Sequence, residues 1–392
     1  MNILIAGYPY IKENYFNTFR YFPEKDKIFF VLPKIWTAKD GKIVFYPPEE
    51  PNVFTTKALF YHSHYPIIGG LLKGWMPFFP FILWKFKKKI GVNIVYSPSE
   101  PILLTTLYQG LWTKLFGLKH IIFSWENIDY EKKLRGVRGV VQKIILRTNL
   151  IFSDGIICGN KKGAEIFKKL TRKPIAIIPI SGLDEEFFKP SSSGVEKKFE
   201  GVNLEGKIVF SFAGAIGFRK GIHFLVKVFP EVLKQIPNSV LIIAGSGEYE
   251  RAIDQLIDDL DLRKNIIRVP WLNQKQLRHL LSISDVFLYP SLSYGGWEEQ
   301  FGYSMAEASL MELPVISTKS GSIEEVVIDG KTGILVEPGQ AQPLKEAMTC
   351  LAKDKNLRYE LGHAGRRHTM ENFSYQAVAE KFHDFFHMVL ER

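Results

Sequence analysis

The sequence predicts an α/β protein made of two doubly wound parallel sheets. Three observations carry this expectation. Short, β-branched, almost wholly apolar runs recur along the chain, amphipathic helical stretches separate them, and the rhythm stops once, at 181–206, before starting again. An apolar run without polar alternation is a strand buried on both faces, the situation of a parallel sheet covered by helices. With 392 residues, 46% hydrophobic and 23% charged, the chain has material for two cores, which excludes a disordered protein.

In the first half, strand runs are expected at 2–6, 28–32, 92–96, 120–123, 155–158 and 175–180, each bounded by turn residues. The segment SGLDEEFFKPSSSGVEKKFEGVNLEG, 181–206, is rich in Ser, Gly and charge around Pro190. It predicts a first domain over 1–190, a linker over 191–206 and a second domain over 207–373. In the second domain, strands are expected at 207–212, 239–244, 266–269, 286–289, 314–317 and 334–336. Helices are expected between them at 220–235, 248–262, 274–284 and 301–313, with another from Pro343. A last amphipathic helix, 374–390, follows after the sheet elements are used up.

Only two cysteines, Cys158 and Cys350, occur, which excludes a disulfide framework and a four-thiolate zinc site and fits a reducing, cytoplasmic compartment. The opening MNILIAGYPY has no basic region before its apolar run, so no secretory signal is expected. Charge is uneven: residues 1–190 hold 28 Lys and Arg against 15 Asp and Glu, and residues 191–392 hold 23 against 26. The first part also holds 33 of the 53 aromatic residues. A basic, aromatic half suits an anionic membrane or a phosphorylated substrate. Nucleic acid is excluded as a partner, because no zinc-finger spacing, RNA-binding signature or long basic arm is present.

The most apolar stretch, YPIIGGLLKGWMPFFPFILWKFKKK (65–89), contains Lys73, three prolines and three glycines and is not expected to span a bilayer. Two readings stand: an interfacial segment, with Trp75, Phe78, Phe79, Phe81 and Trp84 ahead of Lys85 and Lys87–Lys89, or a core helix with a solvated lysine end.

The chemistry concentrates in WEEQFGYSMAEASLMELPVIST, 297–318. Phe301 and Gly302 stand where a loop becomes a helix, and the amides of that helix start, including Tyr303 and Ser304, favour an anionic phosphate. Glu299 precedes the helix and can accept hydrogen bonds from vicinal sugar hydroxyls, while Glu307 projects from it toward a ribose. Taken alone, two glutamates at this spacing equally describe a helix start and a solvated face.

This segment resembles the donor-site signature of retaining nucleotide-sugar glycosyltransferases, in which two Glu separated by seven residues bracket Phe-Gly. FAGAIGFRKG (212–221), LIIAGSGEYE (241–250), the stretch 266–291 and GSIEEVVIDGKTGILVEPG (321–339) match glycosyltransferase family 4 in order. IIPISGLDEEFFKP (177–190) resembles the strand, Gly-x-Asp and Phe before that family's linker. The resemblance covers most of 150–370 and is architectural before that. It implies a GT-B fold, two Rossmann-like domains facing a cleft, with the last helix, 374–392, crossing back to the first. It also implies a nucleoside-diphosphate sugar held mostly by the second domain, an acceptor held by the first, retention of anomeric configuration, and no metal.

Under that reading Lys220 and the helix amides neutralise the departing diphosphate. Gly214 and Arg219 border it, and backbone near Val269 and Leu272 holds the base. Two departures stand out. Ala215 occupies the position where the family often has Arg after the glycine, with Arg219 as a non-equivalent neighbour. Where the family commonly has a His after the fourth strand, this chain offers Trp125, Glu126 and Asn127. Glu126 is the candidate for positioning or deprotonating an acceptor, against a structural carboxylate held by loop amides. Asp259 and Asp261 read as a solvated helix end and His62-Ser63-His64 as non-metal.

The expected activity is sugar transfer to a lipid-linked or polysaccharide-precursor glycan by a cytoplasmic enzyme, peripheral on the inner membrane face. Alternatives are a soluble disaccharide synthase, a nucleotide-sugar epimerase, or a non-catalytic nucleotide-sugar-binding subunit.

Overall fold

A computed structural model describes residues 1–392 except 24–25, 38–42, 62–69 and 192–195. The His62-Ser63-His64 motif, the start of the apolar stretch and part of the expected linker therefore lie outside the described residues. The chain forms two units, Met1–Leu183 with Tyr375–Arg392, and Asp184–Ser374.

Unit 1 is built on strands β1 (Asn2–Ala6), β2 (Lys27–Pro33), β3 (Val53–Thr56), β4 (Ile94–Ser97), β5 (Lys119–Ser124), β6 (Gly155–Cys158) and β7 (Ile175–Ile177). They lie side by side in the order β3-β2-β1-β4-β5-β6-β7, with every pairing parallel. Chain order reverses between β1 and β4, which places a crevice at the carboxyl ends of those two strands. Helices α1 (Phe79–Ile90), α2 (Leu104–Leu115), α3 (Gly136–Phe152) and α4 (Lys161–Leu170) connect them. Phe79, Leu83 and Phe86 of α1 enter the core beside Leu4, Val31 and Val95, so one face of the 65–89 stretch is a core helix. Its other face carries exposed Phe81, Trp84 and the lysines, with Phe78 exposed just ahead of the helix, while Phe79, expected in the interfacial row, is buried.

Unit 2 has β8 (Ile208–Ala213), β9 (Ser239–Ala244), β10 (Ile266–Val269), β11 (Val286–Tyr289), β12 (Val315–Thr318) and β13 (Gly333–Val336). Their order is β10-β9-β8-β11-β12-β13, again wholly parallel, with the reversal between β8 and β11. The helices are α5 (Ile222–Gln235), α6 (Glu250–Asp259), α7 (Gln274–Ile283), α8 (Tyr303–Leu310), α9 (Ala341–Lys353) and α10 (Lys355–Phe373). Asp354 ends α9 and caps α10, its carboxylate accepting the Leu357 N–H at 2.8 Å.

The division falls at Leu183, earlier than the expected 190, and the described part of 191–206 belongs to unit 2. Contacts explain the difference. Arg278 stacks on the Phe187 ring at 5.4 Å, and the Phe188 carbonyl accepts from Arg366 at 3.1 Å. Lys198–Phe199 pairs antiparallel with Val202–Asn203, and Lys197 donates to Asp285 at 2.9 Å. The last helix, α11 (Tyr375–Glu391), belongs to unit 1. Its Phe382 and Phe386 rings lie 5.7 and 5.6 Å from that of Tyr96.

Among the described residues, no helix is long and apolar enough to cross a membrane.

Candidate functional site

The reversal point of the second sheet gathers side chains from separate parts of the sequence. Lys220 closes a short 3₁₀ turn, Phe218–Lys220, between β8 and α5. Its ammonium is buried and donates to Glu299 Oε2 and to the Tyr289 hydroxyl, each at 2.5 Å. Ser291 Oγ donates to the same carboxylate oxygen at 3.0 Å. Desolvation lowers the Lys220 pKa while the Glu299 charge opposes that shift. Burial and the neighbouring carboxylate push the Tyr289 phenol well above its ordinary value, so it stays protonated. The result is a buried lysine–carboxylate pair whose Glu299 oxygen already accepts two hydrogen bonds.

Trp297 lies beside the lysine of this pair. The Arg219 guanidinium stacks on its ring at 3.8 Å, and the Lys220 ammonium lies 5.1 Å from the ring centroid. The Arg219 carbonyl accepts the Leu292 N–H at 2.7 Å, which ties the turn to the loop after β11.

Backbone geometry sets Glu299 in place. Gly321, at φ 62°, lies so close that a Cβ there would stand 2.0 Å from the Glu299 carbonyl oxygen. The next residue, Ser322, donates its N–H to that oxygen at 2.8 Å. Gly302 caps α8 at φ 84°, a left-handed conformation open to glycine. Phe301 is buried and packs edge-on against Phe373 at 5.0 Å, anchoring the start of α8. Tyr303 and Ser304 form the first turn of that helix, whose amino end is the positive end of its dipole. Glu307 follows one turn on, half-buried, and burial pushes its carboxyl to about 7. Its charge is felt at Tyr289. Gly214 ends β8, its N–H donating to the Ala244 carbonyl at 3.0 Å. Val269 is buried at the end of β10, and Leu272 is half-buried three residues beyond.

Glu126 stands in unit 1, in the turn after β5. Lys133 donates to its Oε2, and the N–H groups of Asn127 and Ile128 donate to its Oε1, each at 3.2 Å. The carboxylate is thus held by its own loop. Nearby, a cavity of about 480 Å³ opens at the reversal point of the first sheet, with Tyr8, Lys12, Trp36, Lys73, Glu100 and Trp125 among its lining residues. Glu126 is not among them. Glu100 accepts the Ser124 hydroxyl and the Trp125 N–H, both at 2.7 Å, and burial raises its carboxyl to about 7.

The structure therefore joins Lys220 to Glu299, sets Arg219 on Trp297, and brings Glu307 within electrostatic reach of Tyr289. Sequence reasoning missed Tyr289, Ser291, Trp297 and Glu100. Tyr289 and Ser291 read as the end of an apolar strand, and Glu100 sits in SPSEP, where only its proximity to a strand end signals a role. Among the described residues, no three His, Cys, Asp or Glu side chains gather closely enough to hold a metal ion.

Residues 195–368 match the family described as "Glycosyl transferases group 1". A capsular polysaccharide biosynthesis glycosyltransferase, CapM of Staphylococcus aureus, is 29% identical over 211 residues, 54% of each chain. A GDP-mannose-dependent monoacylated alpha-(1-6)-phosphatidylinositol monomannoside mannosyltransferase of Corynebacterium glutamicum is 32% identical over 165 residues, 42% of each. The chain spans about half the length of the curated relatives it matches. The solved structure of Anabaena Alr3699/HepE in complex with UDP superposes with a TM-score of 0.76, covering 99% of this chain and 100% of that one at 15% identity, a likeness of fold. Residues 195–368 thus match the glycosyl transferases group 1 family, and the chain from end to end has the two-domain α/β fold of the GT-B glycosyltransferases.

Proposed function

We propose that the chain is a retaining glycosyltransferase of the family 4 type. It moves a sugar from a nucleoside-diphosphate sugar to a lipid-linked or polysaccharide-precursor glycan at the cytoplasmic membrane face. One observation carries this reading: the buried Lys220–Glu299 pair at the carboxyl ends of β8 and β11, beside the amino end of α8.

In this reading Glu299 accepts hydrogen bonds from the donor sugar's hydroxyls and Glu307 from the ribose. Lys220 and the start of α8, at Tyr303 and Ser304, stabilise the charge that develops on the departing diphosphate, a task fixed positive groups perform without a metal. Arg219, Phe301, Gly302 and Gly214 shape the loop around it, and backbone near Val269 and Leu272 borders the base. The acceptor hydroxyl attacks the anomeric carbon on the face the phosphate leaves, and its proton passes to the leaving phosphate oxygen. Glu126, with its charge met by Lys133, orients the loop after β5 rather than acting as a base.

Peripheral membrane contact rests on the exposed faces of two helices in unit 1. In α1, Phe81 is 63% exposed and precedes Lys85 and Lys87–Lys89. In α3, Val137 is 85% and Ile144 59% exposed, with Arg138, Lys143 and Arg147 interleaved.

The test is a screen of uridine- and guanosine-diphosphate sugars for hydrolysis and transfer, with and without magnesium, reading the product's anomeric configuration by NMR. Donor turnover lost in Glu299→Ala with an α-linked product from an α-linked donor supports the proposal. Binding without turnover favours a non-catalytic subunit, and an epimerised or free disaccharide product favours those alternatives.

A further inference from the structure

The cavity in unit 1 contains two lysines that the donor chemistry does not use. Lys12 follows the Tyr8–Ile11 turn after β1, and Lys73 lies in the loop before α1. The Lys73 ammonium stands over the Tyr8 ring at 4.6 Å and Trp36 at 5.9 Å. The Lys12 ammonium stands over Tyr15 at 5.2 Å and Phe45 at 5.4 Å. Tyr8 and Trp36 stack on each other at 4.5 Å. Among the described residues, neither lysine has a carboxylate within ion-pair distance. Burial together with the Lys73 charge lowers the Lys12 pKa.

Two half-buried cations held on aromatic rings beside one cavity repel each other, and an anion between them removes that cost. Aromatic faces of this kind also suit the apolar face of a pyranose. Glu100, in the same cavity and raised to about 7, adds little negative charge to oppose such an anion at or below neutral pH. We propose that this cavity takes a phosphorylated sugar, its phosphate between Lys12 and Lys73 and its ring against the Tyr8, Trp36 and Trp125 side of the cavity. The inference rests on the glycosyltransferase reading only in naming this compound as the acceptor; the binding itself stands apart from it.

Trp36 and Trp125 line the cavity, so binding is read by intrinsic fluorescence on the full chain. Glucose 1-phosphate is titrated against methyl glucoside, and phosphatidylinositol–phosphatidylcholine vesicles against phosphatidylcholine alone, the vesicle arm in a chain with Lys85 and Lys87–Lys89 changed to Gln so that the exposed face of α1 does not contribute. The expected result is that glucose 1-phosphate or the phosphatidylinositol vesicles bind about tenfold or more tightly than their neutral counterparts. Lys12→Met with Lys73→Met removes that preference, and Lys12→Gln weakens it, with far-UV circular dichroism unchanged. Preference for the free sugar phosphate identifies a soluble acceptor, and preference for the vesicles alone a lipid headgroup. Equal affinity for charged and neutral ligands, or a phosphate preference that survives the double substitution, overturns the proposal. Donor hydrolysis by the wild-type chain is measured in parallel. Hydrolysis without phosphate-selective binding overturns this inference and leaves the donor reading standing.

Discussion

Lys220 and Glu299, 79 positions apart in sequence, meet as one buried ion pair, Nζ to Oε2 at 2.5 Å, with each residue 6% exposed. A pair so placed performs two tasks that mutation can separate. It satisfies two charges inside the fold, and in the proposed reaction it receives the sugar and the diphosphate.

Removing one partner leaves the other buried and uncompensated. Lys220→Met is expected to destabilise unit 2 by about 3–5 kcal/mol, read as a fall in thermal midpoint. The double substitution Lys220→Met with Glu299→Leu recovers most of that stability, because an apolar pair of similar volume replaces the ionic one. Donor turnover stays lost in both. Turnover that returns with stability would show that the pair matters only to folding.

Glu307 gives unit 2 a dependence on pH. Its folded pKa of about 7 lies above the ordinary carboxylate value, so between about 4.5 and 7 the native state binds more protons than the unfolded one. Stability therefore falls as pH rises through this window, opposite to the trend for a salt-bridged carboxylate. Glu307→Gln reduces that slope, leaving the part that Glu100 contributes in unit 1, and gains on the order of 1–2 kcal/mol at pH 8 relative to the parent, measured by urea unfolding. An unchanged slope in the variant removes Glu307 as its source.

Gly321→Ala tests how Glu299 is positioned. A methyl group there meets the Glu299 carbonyl oxygen, and the left-handed backbone adds its own strain of about 1–2 kcal/mol. The expected outcome is a thermal midpoint several degrees lower and donor hydrolysis reduced at least tenfold. Full activity in a folded variant would show that the approach of these two loops does not place the carboxylate.

Membrane docking predicts flotation with phosphatidylglycerol-containing liposomes that weakens with salt. Replacing Lys85 and Lys87–Lys89 by Gln removes about 1 kcal/mol per lysine near the surface and should cut binding at least tenfold. Val140→Ser with Ile144→Ser should weaken it independently, since those side chains are already exposed and their loss leaves the core intact. Binding unaffected by either set of changes would remove both helices from the docking surface.

Strands 2–6, 155–158, 239–244 and 286–289 form with the limits their sequence predicts, because a strand buried on both faces is nearly all apolar and its turn residues mark its ends; the edge strand 266–269, with Arg268 half-buried, keeps its limits as well. The edge strand Val53–Thr56 escapes the same reading. Phe54 is exposed and the run is half polar, so little in it distinguishes strand from loop. The composition of residues 184–190 groups them with the first domain, whereas the contacts of Phe187 with Arg278 and of Phe188 with Arg366 belong to unit 2.

By itself the sequence determined the two parallel sheets, the loop-to-helix start at Phe301 and Gly302, and the candidacy of Lys220, Glu299 and Glu307. Each of these is a local pattern, written in consecutive residues or in one helix period. Only the tertiary structure decided that Lys220 pairs with Glu299 under Tyr289 and Trp297. It also decided that Glu126 is held by its own loop while Glu100 lines the cavity, and that Lys12 and Lys73 share that cavity. Apart from that of Glu126, whose partners are its neighbours in the chain, these relationships join segments far apart in the sequence. Sheet order brings them together, and nothing in the residues between them records the distance.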